Sequence, residues 1–170
     1  MRTTLVAGNW KMNGARVASR ALVQSICEGL SGVTSDVPPC DVAICPPMAL
    51  LDTVNASLGD AGATLGAQNV SEHESGAFTG ETSAAMLVEA GCTYVIVGHS
   101  ERRSLYGEDA ACVARKYMAA QAASLIPIIC VGESLEEREQ GRTEAVVWHQ
   151  LEAVIAAAGV ASLKRAVLAY

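Results

Sequence analysis

The sequence predicts an α/β fold in which short buried strands alternate with helices around a parallel sheet. Three observations carry this. Val42–Cys45, Tyr94–Val97 and Ile126–Val131 are apolar throughout rather than alternating, as strands covered on both faces are. Segments of helical period lie between the strands. Polar groups able to do chemistry (Asn9, Lys11, His99, Glu101, Glu133) fall just past strand ends. Such alternation builds βα units, and a doubly wound sheet or a βα barrel both satisfy it. No G-x-G-x-x-G follows the first strand, which weakens a dinucleotide-binding reading.

In chain order, Thr4–Ala7 reads as a first strand, ending in the polar turn Gly8–Gly14. Val17–Leu30 reads as a helix with Ala18, Leu22, Ile26 and Leu30 on its apolar face. Gly32–Pro39 is a connector, and Val42–Cys45 a second strand stopped by Pro46-Pro47. A helix follows from about Ala49 to Ser57, then a turn at Gly59–Gly62 and a third strand at Thr64–Ala67. Gln68–Glu81 is polar, carries Gly76 and Gly80, and holds the single phenylalanine, Phe78. Loops this long in a compact domain are usually functional or touch a partner, with a solvated loop as the plainer reading. A helix at Thr82–Ala90 leads into the fourth strand, Tyr94–Val97.

Gly98 then lets the backbone turn, and Ser100-Glu101 reads as a helix start with Ser100 as its capping hydroxyl. Asp109–Ser124 is a helix with an acidic cap and Val113, Tyr117 and Met118 on its apolar side. Ile126–Val131 is the fifth strand. Ser134–Glu137 has capping-box spacing. Glu144–Ala158 is a helix with Val147, Leu151, Val154 and Ile155 toward the core, stopped by Gly159. Ala166–Tyr170 begins a sixth strand.

Composition excludes several classes. The chain has 170 residues, 51% of them hydrophobic, and a net charge of −6 with no basic stripe, so nucleic-acid binding has no support. No apolar run reaches the roughly 18 residues of a membrane-spanning helix, and Met1–Gly8 lacks the apolar core of a signal peptide. The six cysteines are dispersed, without a C-x-x-C pair or histidines at ligand spacing. No metal site is expected, and reduced thiols in a cytoplasmic protein are.

His99, held between a strand's carboxyl end and a helix N-terminus, faces aligned N–H dipoles that disfavour the imidazolium. A neutral ring can donate to a carbonyl oxygen and stabilise an enediolate; a histidine satisfying local backbone groups is the ordinary alternative. Lys11 sits in a glycine-flanked turn and can offer fixed positive charge to a phosphate or oxyanion, where most lysines are merely solvated. Glu101 is a helix-start carboxylate that could also pair with Lys11. His73 and His149 receive no role.

Gly8-Asn9-Trp10-Lys11-Met12-Asn13-Gly14, Val97-Gly98-His99-Ser100-Glu101-Arg102-Arg103 and Cys130-Val131-Gly132-Glu133 together resemble the triosephosphate isomerase family. So do Gly66-Ala67-Gln68-Asn69 and Gly76-Ala77-Phe78-Thr79-Gly80-Glu81. The resemblance runs from Thr4 to Tyr170. It implies an α/β TIM (βα)8 barrel, represented here by about six strands and five helices in a single incomplete domain, 1–170, lacking the last two strands. It implies interconversion of dihydroxyacetone phosphate and glyceraldehyde 3-phosphate through an enediolate, without cofactor, in glycolysis and gluconeogenesis. His99 is then the neutral electrophile, Lys11 the electrostatic group and Glu101 their acidic neighbour. Asn9, Trp10 and Lys11 bind substrate. Gln68, Phe78, Thr79 and Gly80 belong to a loop that enters the partner subunit of a homodimer.

The family's general base is a glutamate directly after the Ala-Tyr that ends its sixth strand, and these residues stop at Ala169-Tyr170. Removing a proton beside a carbonyl needs a positioned base. The 170-residue chain alone is therefore expected to be inactive. The alternative expectation is a partial barrel that binds phosphate or serves only as a dimerisation segment.

Overall fold

A computed structural model describes residues 4–32, 40–59 and 62–170. Most of the expected Gly32–Pro39 connector and the middle of the Gly59–Gly62 turn lie outside them. Six strands, β1 (Thr4–Asn9), β2 (Cys40–Cys45), β3 (Ala63–Ala67), β4 (Cys92–Val97), β5 (Ile126–Cys130) and β6 (Val167–Ala169), follow chain order across one sheet. The pairs β1–β2, β2–β3 and β5–β6 are parallel. The chain clusters into two compact units, Met1–Gln68 with Met86–Tyr94, and Asn69–Ala85 with Val95–Tyr170.

In the first unit, Thr4 lies opposite Cys40 and Asn9 opposite Cys45, which aligns the ends of β1 and β2. Helices α1 (Arg16–Ser31) and α2 (Leu51–Leu58) pack on each other. The α1 face is turned from the expected one. Ala18 and Leu22 are exposed, Ile26 and Leu30 half-buried, and the buried residues are Ser19 and Val23. A Cβ on Gly14 would stand 3.1 Å from Ser19 Oγ and 2.9 Å from Leu50 Cδ1, so only a small side chain fits beneath the turn at Gly14. A short 3-10 turn, Met48–Leu50, precedes α2, which buries Leu51, Val54 and Leu58. At Gly66 the chain approaches its neighbour closely: a Cβ there would lie 2.5 Å from Cys45 Sγ.

In the second unit, helices α4 (Ser100–Tyr106), α5 (Ala110–Ala122), α6 (Leu135–Glu139) and α7 (Thr143–Ala158) accompany β5 and β6. The short α3 (Ala84–Glu89), like β4, contributes residues to both units. It starts two residues later than expected because Thr82 is used otherwise: its carbonyl accepts the Ser71 N–H (2.8 Å) and closes the long loop. Asp109 caps α5, its Oδ1 accepting from Cys112 N–H at 2.7 Å. Val113 and Tyr117 are buried, but Met118 is 38% exposed.

The Tyr117 hydroxyl donates to Ser162 Oγ (3.0 Å) and accepts from Gln121 Nε2 (2.8 Å). Its ring brings the usual burial gain of about 2 kcal/mol without an orphaned hydroxyl. Ser162 belongs to a 3-10 segment, Val160–Arg165, that the sequence did not signal. The capping box at Ser134 and Glu137 is present on α6. On α7, Val154 is buried while Val147, Leu151 and Ile155 are half-buried. Gly159 ends α7 with φ 75°.

Candidate functional site

Asn9 is the last residue of β1, and Trp10 and Lys11 follow directly from it in the first unit. Lys11 has φ 53°, in the left-handed region that non-glycine residues enter at a cost. The turn is over-determined by hydrogen bonds. The Lys11 N–H donates to Asn9 Oδ1 at 2.9 Å, and Asn13 Nδ2 donates to Trp10 O at 2.9 Å. The Trp10 N–H donates to Cys45 O at 3.0 Å. Gln68 Nε2 donates both to Lys11 O (2.9 Å) and to Cys45 O (2.8 Å). Gln68, expected in the long loop, is thus also the anchor of the lysine turn. Lys11 is exposed.

His99 and Glu101 stand in the second unit. The residue that caps α4 is His99 rather than Ser100. The Glu101 N–H donates to His99 Nδ1 at 3.3 Å, and Ser100 is the first helical residue. The physical reason is reach: the ring nitrogen occupies the place a capping oxygen would take at the second helical N–H. A ring nitrogen that accepts carries no proton, so this bond favours the tautomer with its proton on Nε2. The Glu101 carboxylate lies 3.5 Å from the same nitrogen.

A cavity of about 210 Å³ is lined by His99, Ser100, Arg103, Cys130, Gly132 and Glu133, among others. Glu133 has only 3% of its side chain exposed. It accepts from Arg138 Nε (2.8 Å), Tyr170 Oη (3.1 Å) and Thr143 Oγ1 (3.1 Å). Arg138, the strongest of these, lowers the carboxyl from its ordinary value to about 2. Glu133 is therefore held ionised, with its Oε1 taken by three donors, and is a weak base.

The long loop carries Phe78, Thr79 and Gly80 on an exposed stretch. Phe78 stacks on His73 with ring centroids 3.8 Å apart and planes 4° off parallel. His73 had been given no role; a histidine five residues before the lone phenylalanine was the available signal. His149 lines a separate cavity with Arg142 and Gln150.

Sequence reasoning also missed a buried ionic network in the second unit. Glu108 Oε1 accepts from Arg102 Nε and from Lys116 Nζ, each at 2.5 Å, and Lys116 Nζ also donates to Asn69 Oδ1 at 2.8 Å. Burial alone would raise the Glu108 carboxyl, but these two cations hold it below its ordinary value. Arg102 further lies over the Tyr106 ring at 4.9 Å. The cue was Lys116 itself, one of three lysines, next to the buried Tyr117 on a helix. Among the described residues no group of His, Cys, Asp and Glu stands together as metal ligands, and no helix is long and apolar enough to cross a membrane.

Strands that follow chain order, rather than the permuted order of a doubly wound sheet, belong to the class of TIM-barrel proteins, here in part. A crystal structure of triosephosphate isomerase from Bartonella henselae matches it with a TM-score of 0.88 at 39% identity, covering 99% of this chain and 68% of that one. The family profile for triosephosphate isomerase matches residues 4–170. The triosephosphate isomerase of Thiobacillus denitrificans is 59% identical over 170 residues, and that of Dechloromonas aromatica 52% identical over 170 residues. Each alignment takes in 100% of this chain and 66% of the relative. The chain belongs to the triosephosphate isomerase family, and spans about two-thirds of the length of these curated relatives.

Proposed function

We propose that these residues serve an isomerase that interconverts dihydroxyacetone phosphate and glyceraldehyde 3-phosphate in the cytoplasm, in glycolysis and gluconeogenesis. The observation that carries the reading is the hydrogen bond from the Glu101 N–H to His99 Nδ1. With Nδ1 occupied by the Glu101 N–H, Nε2–H is left as a neutral donor suited to a carbonyl or enediolate oxygen. Asn9, Trp10 and Lys11 bind substrate, and the strained backbone at Lys11 supports a functional role for that turn. Lys11 supplies positive charge to the phosphate and the developing oxyanion, with Glu101 as its acidic partner. The loop bearing Gln68, Phe78, Thr79 and Gly80 contacts a second copy in a homodimer.

Replacing His99 by Gln in the enzyme with the family's full-length barrel is expected to cut turnover about a hundredfold or more. Turnover within a fewfold of wild type would refute the electrophile assignment. Among the described residues beside His99, Glu133 is a poor candidate for the base, because a carboxylate whose acid is held at about 2 binds a proton weakly. The isolated chain, purified free of host enzyme, is expected to show no isomerisation, and measurable turnover would overturn that. Sedimentation of the full-length protein tests the homodimer: a monomer at micromolar concentration would count against it.

A further inference from the structure

We propose that Arg103 is a positioning residue for His99, its guanidinium fixing the peptide group before the imidazole-bearing residue and tying it to the end of β5. The proposal rests on the isomerase reading of His99. Arg103 Nε donates to Gly98 O at 2.8 Å, the carbonyl immediately before His99. The Arg103 backbone N–H donates to His99 O at 3.1 Å, the carbonyl immediately after it. The Arg102 N–H donates to the same His99 carbonyl at 2.8 Å, so the helix start fixes the far side of the histidine and the guanidinium fixes the near side. The same guanidinium reaches further: its Nη2 donates to Cys130 O at 3.1 Å, at the carboxyl end of β5. The ends of β4 and β5 are pinned to one planar group.

The sequence around it is cut to fit. Gly98 has φ 68°, and a Cβ there would meet Arg103 Nη2 at 2.7 Å and Val113 Cγ1 at 2.8 Å. The guanidinium fills the room a side chain would need. A mostly buried cation bonded to neutral carbonyls is costly compared with an apolar residue, and here burial pulls the guanidinium below its ordinary value, with Cys130, Glu108 and Asp109 pulling it back. Such a group is an expensive way to fill space, but a suitable way to fix geometry. Only a rigid fork presents separate donors to two strand ends at once; a lysine ammonium is a point charge on a flexible stem. Arg103 lines the 210 Å³ cavity beside His99 and also one of about 520 Å³ on its other side, so a small cation can reach its place.

The test uses Arg103→Lys and Arg103→Ala in the enzyme with the full-length barrel. Displacement by about 1 Å of a catalytic group can cost a hundredfold, so kcat is expected to fall at least tenfold in both, with KM within about threefold. Guanidinium chloride below its denaturing range should restore part of the kcat of Arg103→Ala, and ammonium chloride should not. The nitrogen NMR shifts of the His99 ring should move in both variants. Wild-type kcat in Arg103→Lys, or a lowered Tm with unmoved His99 shifts, would overturn the proposal. If Arg103→Ala does not fold, Arg103→Lys decides alone. If the wild-type protein shows no isomerisation, the isomerase reading fails instead, and the His99 shifts still decide whether Arg103 positions the ring.

Discussion

Glu108→Gln gives the sharpest test of what holds the second unit together. The substitution keeps shape and removes charge. Glu108 has 5% of its side chain exposed and Lys116 7%, so water cannot replace the lost partner. Breaking a buried ion pair by removing one member commonly costs 3–5 kcal/mol. Two features put this case at the lower end. Lys116 keeps Asn69 Oδ1 as an acceptor, and Arg102 is 28% exposed and lies over the Tyr106 ring. The expected loss is about 3 kcal/mol in urea unfolding at fixed protein concentration, with m unchanged. The pH dependence has a definite sign. The folded carboxyl lies below its ordinary value of 4.5, so its contribution is present above that pH and fades as pH falls toward the folded value. Wild-type stability should decline in that acid range, and the variant should decline less. A Lys116→Met, Glu108→Gln double variant should cost at least about 1 kcal/mol less than the two single losses added. A Glu108→Gln loss under 1 kcal/mol, or an acid slope matching wild type, would refute the view that the network is a stabilising buried ion pair.

Two further perturbations concern the first unit. Gly66→Ala places a methyl 2.5 Å from Cys45 Sγ, inside a packed sheet, and should cost about 1–3 kcal/mol in urea unfolding; a neutral result would mean that the strands part freely there. Lys11→Gly relieves a left-handed backbone at φ 53° while loosening the unfolded chain, so stability should stay within about 1 kcal/mol of wild type as turnover in the full-length enzyme falls a hundredfold or more. A stability loss above about 2 kcal/mol would show that the lysine is structural.

The strands were legible because parallel βα folds write them as uninterrupted apolar runs. Tyr94–Val97 and Ile126–Val131 were each read to within two residues. Helix existence was legible too, but helix orientation was not. On α1 the choice between Leu22 and Val23 as the buried residue turns on a one-residue rotation of the helix. Hydrophobic period cannot resolve that, since both stripes contain apolar residues. The start of α3 failed for a different reason: Thr82 is a good helix opener whose carbonyl was claimed by Ser71 across the loop, and nothing local announces such a bond.

At the candidate site, residue types were legible and their partners were not. Asn9, Lys11, His99 and Glu101 stand out because polar groups at strand ends have few structural reasons to be there. Arg102, Arg103 and Glu108 look like ordinary residues of a polar helix and its following turn. What separates them is burial, which a single charged residue in sequence does not encode. Arg102 and Arg103 are adjacent and chemically identical, yet one binds a carboxylate and lies over Tyr106, while the other turns inward to two backbone carbonyls. Successive helical residues point about 100° apart, so an Arg-Arg pair at a helix start must divide its work between two directions. Gly98 offered the one clue to the inward direction. A glycine at the end of an apolar strand reads as a turn, but here it also vacates the space that Arg103 occupies.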